Sequence, residues 1–181
     1  VGWPGVRHIA DKDFTPAIEK ALAMPGFSQD QNGKSVMVGF GRSAGVGYPA
    51  EARGILLPVT RWSRMSVAGL ALGQELTASP LQVAVAYAAI ANGGWMLQPR
   101  MVESVRGDGV HDRIVRTKPH RVLDQALARR LCGMLEKAIL DGTGDEAQVA
   151  GDRAAGKTGT AQRTFNGAFD DEHHTAWFAG F

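Results

Sequence analysis

One apolar segment near the middle of the chain constrains the fold more than any other. Ser79 is a favourable N-cap residue, Pro80 suits the first helical position, and no helix breaker follows until Gly93. The pattern predicts a helix over Leu81–Asn92 with apolar residues on nearly every face, so we expect protein to enclose it. Its unbroken apolar run, Val83–Ala91, is far shorter than the ~20 residues that a membrane span needs.

A second helix is predicted from about Asp124, a plausible N-cap, to Leu140. Apolar side chains recur at the i, i+4, i+7 and i+8 spacing of a single face, which indicates a helix that covers a core on one side only. The motif Gly142-Thr143-Gly144 should end this helix.

The last third of the chain predicts a β-hairpin. Residues Lys157–Phe165 and Thr175–Phe181 have strand-like patterns, and Asn166-Gly167 marks a turn between them. We interpret Phe169–His174 as a ragged extension of the hairpin loop. Helices packed on an antiparallel sheet give the α+β fold class.

Composition and cysteine usage exclude several functions. The 181 residues carry a net charge of +2 and the basic residues are scattered, so nothing favours a nucleic-acid partner. The single cysteine, Cys132, excludes an internal disulfide and a Cys-based zinc cage, and its apolar neighbours predict a small buried side chain. The run Asp170–His174 has metal-binding chemistry, but five consecutive residues cannot easily converge on one ion. We therefore expect no metal and no cofactor.

The pattern Gly41-Arg42-Ser43-Ala44-Gly45 matches the G-x-S-x-G nucleophile elbow of serine hydrolases. That elbow requires a helix directly after the serine, whereas Gly45, Gly47 and Pro49 follow here. No pair of a histidine and an acid can be assigned to Ser43 either. We therefore interpret the segment as a loop.

Residues Gly151–Thr158 match the phosphate-binding loop G-x-x-x-x-G-K-[ST], in which Lys157 would neutralise a nucleotide phosphate. Such a loop must join a buried strand to a helix. Here Ala147–Ala150 is a poor strand, and Gly159 and Thr160 after the lysine favour a hairpin. A P-loop nucleotide-binding protein is thus an alternative, but the buried strand and the helix that the motif requires are not predicted here.

The same lysine opens the tetrapeptide Lys157-Thr158-Gly159-Thr160, which as a strand edge could bind a substrate carboxylate and carbonyl. Lys157 supplies positive charge, Gly159 allows close approach, and Thr160 offers a hydroxyl and an amide N–H. From the residues alone, a structural lysine beside a turn is an equally good interpretation.

A family resemblance favours the first interpretation. Residues 157–162 (K-T-G-T-A-Q) resemble the third active-site motif of penicillin-binding proteins, the D,D-transpeptidases that cross-link peptidoglycan. The accompanying segments resemble the class B, division-type members in the same order: F-G-R-S-A-G-V-G at 40–47, E-A-R-G at 51–54, L-G-Q-E at 72–75, T-A-S-P-L-Q at 77–82, A-A-I-A-N-G-G at 88–94, G-T-G at 142–144 and T-A-W-F-A-G-F at 175–181. The resemblance covers about residues 38–181. It implies the α+β fold shared by penicillin-binding transpeptidases and serine β-lactamases, incomplete in this chain.

The resemblance also implies a chemistry. In this family the serine of a Ser-x-x-Lys motif attacks the penultimate D-alanine carbonyl of a stem peptide, and β-lactams trap that serine. Lys157 would be the catalytic residue of this chain and would assist proton transfer, while Thr158, Gly159 and Thr160 would bind substrate. The resemblance implies that the Thr158 and Thr160 side chains contact the substrate carboxylate. The Thr160 N–H would supply half of the oxyanion hole.

Partners and a location follow from the same resemblance. The expected ligands are stem peptides ending in D-Ala-D-Ala and β-lactams, and the expected protein partners are membrane proteins of cell division or elongation. The location would be the bacterial cytoplasmic membrane, with the catalytic domain on the periplasmic or extracellular face and an anchor upstream of Val1.

The chain departs from the family in its first part. None of its seven serines has lysine three residues on or asparagine two residues on, so the nucleophile and the second family motif, Ser-x-Asn, are absent. The chain, residues 1–181, is predicted to be a partial transpeptidase domain in which residues 1–34 diverge from the family. We expect it to be inactive in acyl transfer by itself, and a non-catalytic binding remnant is a second alternative.

Overall fold

The computed structural model describes residues 27–29, 35–37, 39–107, 109–113, 117–165 and 168–181. Three α-helices lie in these ranges: α1 (Ser66–Ala71), α2 (Pro80–Ala91) and α3 (Gln125–Leu140). Two short 3₁₀ helices, Val59–Arg61 and Asp145–Ala147, accompany them. None of the helices in these ranges has both the length and the hydrophobicity of a membrane span.

Ten strands form five antiparallel pairs in the described part of the chain. The short pairs are β1 (Phe27–Gln29) with β2 (Ser35–Met37), β3 (Ile55–Leu56) with β4 (Leu76–Thr77), β5 (Trp95–Met96) with β8 (His120–Arg121), and β6 (Ser104–Gly107) with β7 (Val110–Arg113). The long pair is β9 (Gly156–Phe165) with β10 (Ala168–Gly180). Helices beside antiparallel strands confirm the predicted α+β class.

The capping signals at the start of α2 are confirmed. The Ser79 hydroxyl accepts from the Gln82 N–H at 3.2 Å, and the Gln82 side-chain oxygen accepts from the Ser79 N–H at 2.8 Å. These two bonds complete a capping box. Pro80 occupies the first helical turn, where a backbone N–H would have no helical partner.

Within this chain, α2 is enclosed on one side only, whereas enclosure by protein was expected. Its buried residues, Gln82, Ala86 and Ala89, form one stripe. Ala84 and Ala88 on the opposite side are exposed. The reason is that α3, β5 and β10 pack against α2 from one side, and burial is confined to that side.

The second predicted helix is confirmed as α3. The Asp124 carboxylate accepts from the Leu127 N–H at 2.8 Å and caps the first turn. Ala128 and Ile139 are buried, in agreement with the one-sided apolar pattern.

Cys132 on α3 is half-buried, whereas a buried side chain was expected. Its sulfur lies 3.7 Å from the Ile90 carbonyl oxygen of α2. The thiol therefore lies at the contact between the two helices, where neither helix covers it completely.

The predicted hairpin is confirmed, with longer strands than the sequence indicated. β9 and β10 keep one register from Gly156 opposite Gly180 to Gln162 opposite His174. The register then shifts, so Phe169–His174 is an irregular part of β10 instead of a loop extension. The predicted turn at 166–167 lies outside the described residues.

Residues 39–54 form an extended loop, called here the glycine-rich loop, which the Gln82 side chain ties to α2. The Gln82 Nε2 group donates to the Arg42 carbonyl at 2.6 Å and to the Arg53 carbonyl at 2.8 Å, and the side chain is 2% exposed. Gly54 closes the loop at a φ of +64°, and a Cβ there would lie 2.2 Å from the Thr77 carbonyl oxygen. Only glycine fits that position.

Replacing Gln82 with methionine should lower the free energy of unfolding by about 2–4 kcal/mol. The variant keeps the side-chain volume but leaves the Arg42 and Arg53 carbonyls without their donor and the Ser79 N–H without its side-chain acceptor. Urea unfolding followed by circular dichroism measures the change. Gln74→Met, at an exposed position, is the matched control and should stay within about 0.5 kcal/mol of the parent. Equal midpoints for the two variants would show that Gln82 does not hold the loop.

Candidate functional site

The tetrapeptide Lys157-Thr158-Gly159-Thr160 lies near the start of β9. On one side its neighbour is β10, where Phe178 is opposite Thr158 and Trp177 is opposite Gly159. No strand of the described ranges pairs with the other edge of β9. The predicted site residues therefore lie along one open strand edge.

The hydrogen-bond pattern of the hairpin decides which backbone groups face that open edge. Ala155 and Phe181 exchange two N–H to carbonyl bonds, both of 2.8 Å. In an antiparallel ladder, bonded and non-bonded pairs alternate, so the pairs at residues 157 and 159 are bonded to β10. The N–H and C=O groups of Thr158 and Thr160 therefore point to the open edge.

Three side-chain groups converge beside this edge. The Lys157 ammonium donates to the Thr158 carbonyl at 3.0 Å, to the Thr158 hydroxyl at 3.1 Å and to the Thr143 hydroxyl at 3.3 Å. The two hydroxyl oxygens are 2.6 Å apart. We call Thr143, Lys157 and Thr158 the hydroxyl–ammonium cluster. Its combination of positive charge and hydroxyl groups is suited to a carboxylate ligand.

Thr143 belongs to this cluster although the sequence pattern did not single it out as a site residue. The sequence indicated that Gly142-Thr143-Gly144 ends α3 and that this tripeptide resembles a family segment, but it assigned Thr143 no role. In the structure the Gly144 N–H donates to the Ala138 carbonyl at 3.1 Å, which closes a tight turn after the helix. The turn presents Thr143 toward β9, which packs against α3. The available signals were a threonine between two glycines and the resemblance of this tripeptide to a family segment.

The loop between α3 and β9 is anchored to α3 by two side chains. Arg153 donates to both Glu136 carboxylate oxygens, at 2.7 and 2.9 Å, and Gln148 donates to the Ile139 carbonyl at 3.2 Å. Because the Arg153 side chain is 84% exposed, the ion pair adds little free energy of folding. Its effect is geometric, since it holds the start of β9 beside the last turns of α3.

Gly159 has a packing role in addition to the role that was predicted for it. A Cβ at this position would lie 2.4 Å from the indole of Trp177, which covers the glycine from β10. The Phe178 ring covers Gly156 in the same way, again 2.4 Å from the position of a Cβ. Aromatic rings over strand glycines help to fix the register of a hairpin.

The match to a phosphate-binding loop at Gly151–Thr158 lacks the required geometry. A P-loop lysine stands at the N-terminus of a helix, whereas Lys157 stands on strand β9. The geometry therefore does not favour nucleotide binding. No group of three or more His, Cys, Asp or Glu side chains could hold a metal ion within the described ranges.

Ser43 of the G-x-S-x-G pattern lies in the glycine-rich loop, as predicted, and it contacts Glu51. The Ser43 hydroxyl donates to the Glu51 carboxylate at 2.6 Å, and the Ala44 and Gly45 N–H groups donate to the same carboxylate. The Ser43 hydroxyl, followed by the backbone N–H groups, holds the pKa of Glu51 below its ordinary value of 4.5. The serine therefore organises the loop.

Comparison with known proteins gives a family match over most of the chain. Residues 36–181 match the family described as penicillin binding protein transpeptidase domain. The chain is 36% identical over 152 residues to penicillin-binding protein PbpB of Mycolicibacterium smegmatis, a match that covers 78% of this chain and 24% of that protein. The chain thus spans about a quarter of the length of such relatives.

Solved structures agree with the family match. The crystal structure of penicillin-binding protein 3 from Mycobacterium tuberculosis, complexed with aztreonam, superposes with a TM-score of 0.74 at 35% identity. The superposition covers 79% of this chain and 34% of that chain. This likeness confirms the predicted fold of the penicillin-binding transpeptidases.

A different protein matches a short stretch of the chain. The chain is 68% identical over 44 residues to a hydroxylamine reductase of Thermodesulfovibrio yellowstonii. The match covers 24% of this chain and 8% of that protein. This identity is higher than that to PbpB, but it concerns a much smaller part of the chain.

The Glu51 contacts should make the glycine-rich loop sensitive to acid. Because the pKa of Glu51 is lowered in the folded protein, the contacts are fully present above pH 4.5 and are lost as the pH falls through the lower folded value. The amide NMR shifts of Ala44 and Gly45 should titrate with a midpoint below 4.5. Glu51→Gln should abolish this titration, and Glu146→Gln, at an exposed position, should preserve it. A titration that persists in Glu51→Gln would assign it to another group.

Proposed function

Because this chain belongs to the penicillin-binding protein transpeptidase family, we propose that it carries the Lys-Thr-Gly part of a peptidoglycan D,D-transpeptidase site. The observation that carries the proposal is the open edge of β9. There, the outward N–H groups of Thr158 and Thr160 lie on the strand that bears the hydroxyl–ammonium cluster.

A stem peptide ending in D-Ala-D-Ala has the chemical groups that this edge can bind. An extended peptide added alongside β9 would form ladder bonds with the outward backbone groups. Its terminal carboxylate would accept from the Thr158 and Thr160 hydroxyls beside the Lys157 charge. Its penultimate carbonyl oxygen would accept from the Thr160 N–H, as one half of an oxyanion hole. Gly159 leaves the edge free of a side chain between the two threonines.

The covalent reaction requires the serine of a Ser-x-x-Lys motif, which this sequence lacks. A serine oxygen would bond to the penultimate D-alanine carbonyl carbon, and its proton would pass to a base. The C–N bond to the terminal D-alanine would then break, with a proton going to the departing amine. An amine of a neighbouring stem would attack the acyl-enzyme, form the cross-link and release the serine. Lys157 would assist these proton transfers once a Ser-x-Asn motif stood beside it.

The proposed setting follows the family. The ligands are D-Ala-D-Ala stem peptides and β-lactams, and the structural relative complexed with aztreonam supports the second class. The protein partners would be membrane proteins of division or elongation, with the domain on the outer side of the cytoplasmic membrane. The division-type subgroup remains part of the proposal.

We also propose that residues 1–181 form a partial transpeptidase domain in which residues 1–34 diverge from the family. The family match begins at residue 36.

The full chain should bind a peptide ending in D-Ala-D-Ala without reacting with penicillin. Titration with diacetyl-L-Lys-D-Ala-D-Ala should shift the Thr158 and Thr160 amide signals. Lys157→Met should weaken binding by about tenfold because the positive charge beside the carboxylate is lost. Lys137→Met, at an exposed position of α3, should bind like the parent chain.

Intact-mass measurement after incubation with penicillin G completes this test. We expect no adduct, because no serine has the Ser-x-x-Lys spacing. A stoichiometric penicilloyl adduct would show that another nucleophile operates in this chain. Equal peptide affinities for Lys157→Met and Lys137→Met would remove Lys157 from the binding site.

Deleting residues 1–34 removes β1, the partner of β2. It should nevertheless preserve the amide signals of β9 and the cooperative unfolding transition, because the family match begins at residue 36. NMR spectra and urea unfolding of the full and shortened chains measure both quantities. If the shortened chain loses its cooperative transition, residues 1–34 are part of the folded unit.

A further inference from the structure

The Lys157 ammonium contacts three acceptors in the hydroxyl–ammonium cluster. They are the Thr158 carbonyl, the Thr158 hydroxyl and the Thr143 hydroxyl. A lysine ammonium only donates. Each of the two hydroxyl oxygens therefore directs a lone pair toward the ammonium.

The two hydroxyl groups share one further hydrogen bond. Their oxygens are 2.6 Å apart, so one hydroxyl donates to the other. Each hydroxyl has one proton and two acceptor positions. Two protons are available and one is used between the oxygens, so one proton remains for a ligand.

Resting on the proposed function, we propose that Thr143 is a positioning residue that donates to Thr158 and directs the Thr158 proton toward the substrate carboxylate. With this direction, the Thr158 oxygen accepts from both Lys157 and Thr143. Its two lone pairs are occupied, and its own proton can only be donated outward. The hydroxyl then acts toward the ligand as a donor alone, which is the role that a carboxylate requires.

The turn after α3 makes Thr143 suitable for this role. Gly144 is buried, and its N–H donates to the Ala138 carbonyl at 3.1 Å. A Cβ at Gly142 would lie 2.6 Å from the same carbonyl oxygen, so the chain passes close against the helix end. The turn packed against the end of α3, and not β9, therefore fixes the position of the Thr143 hydroxyl.

The first measurement concerns the Thr158 side chain and needs no ligand. Three-bond NMR couplings to the Thr158 methyl carbon report its χ1 rotamer in the full chain. We expect a single rotamer in the parent and in Thr143→Ser, which keeps the hydroxyl, and an averaged rotamer in Thr143→Val. Thr60→Val, at an exposed position on a 3₁₀ helix, is the matched control and should leave Thr158 unchanged. A Thr158 rotamer that does not respond to Thr143→Val would overturn the inference and leave the proposed function standing.

The second measurement compares two probes, diacetyl-L-Lys-D-Ala-D-Ala with a free carboxylate and the same peptide as its C-terminal amide. Thr143→Val should weaken binding of the acid by about tenfold and change binding of the amide by less than about twofold. Thr143→Ser should restore the affinity for the acid. Equal losses for acid and amide would indicate a merely structural role and overturn the inference. If the parent chain bound neither peptide, the proposed function would fail and the positioning role with it.

Discussion

The register of β9 against β10 is the constraint on which the candidate site depends. In the observed register, Thr158 and Thr160 turn their N–H and C=O groups toward the open edge. A slip of one residue would turn the groups of Lys157 and Gly159 outward and move every side chain to the opposite face. The indole of Trp177 opposes such a slip, because it occupies the space of a Cβ over the glycine. Gly159 therefore leaves the open edge without a side chain and, together with Trp177, fixes the register of the hairpin.

The glycine-rich loop is held mainly through its backbone. Gln82 binds two loop carbonyls, and Glu51 accepts from loop N–H groups as well as from the Ser43 hydroxyl. Backbone groups are present whatever the residue, so these contacts tolerate changes of sequence except where a positive φ requires glycine, as at Gly45.

Elements specified by local chemistry were predictable from the sequence. Ser79 and Pro80 defined the start of α2, and Asp124 defined the start of α3, because capping depends on residues only a few positions away. The position of Thr143 was not predictable, since its partner Thr158 is 15 residues distant and the contact depends on a turn. The one-sided enclosure of α2 was not predictable for a different reason. An apolar pattern indicates which surface needs covering, but it does not show whether the same chain supplies the cover.

Substrate recognition and covalent reaction are separable in a site of this kind. The open edge and the hydroxyl–ammonium cluster would bind the carboxylate and the backbone of a peptide. These groups are the same before and during acyl transfer. Contacts of that kind contribute to binding, whereas rate acceleration requires contacts that strengthen in the transition state. The Thr160 N–H is the exception, because charge develops on the carbonyl oxygen that it would contact. Without the serine of a Ser-x-x-Lys motif to create that charge, the Thr160 N–H would act as an ordinary hydrogen-bond donor. A chain with this half of the site is therefore expected to retain ligand selectivity without catalysis.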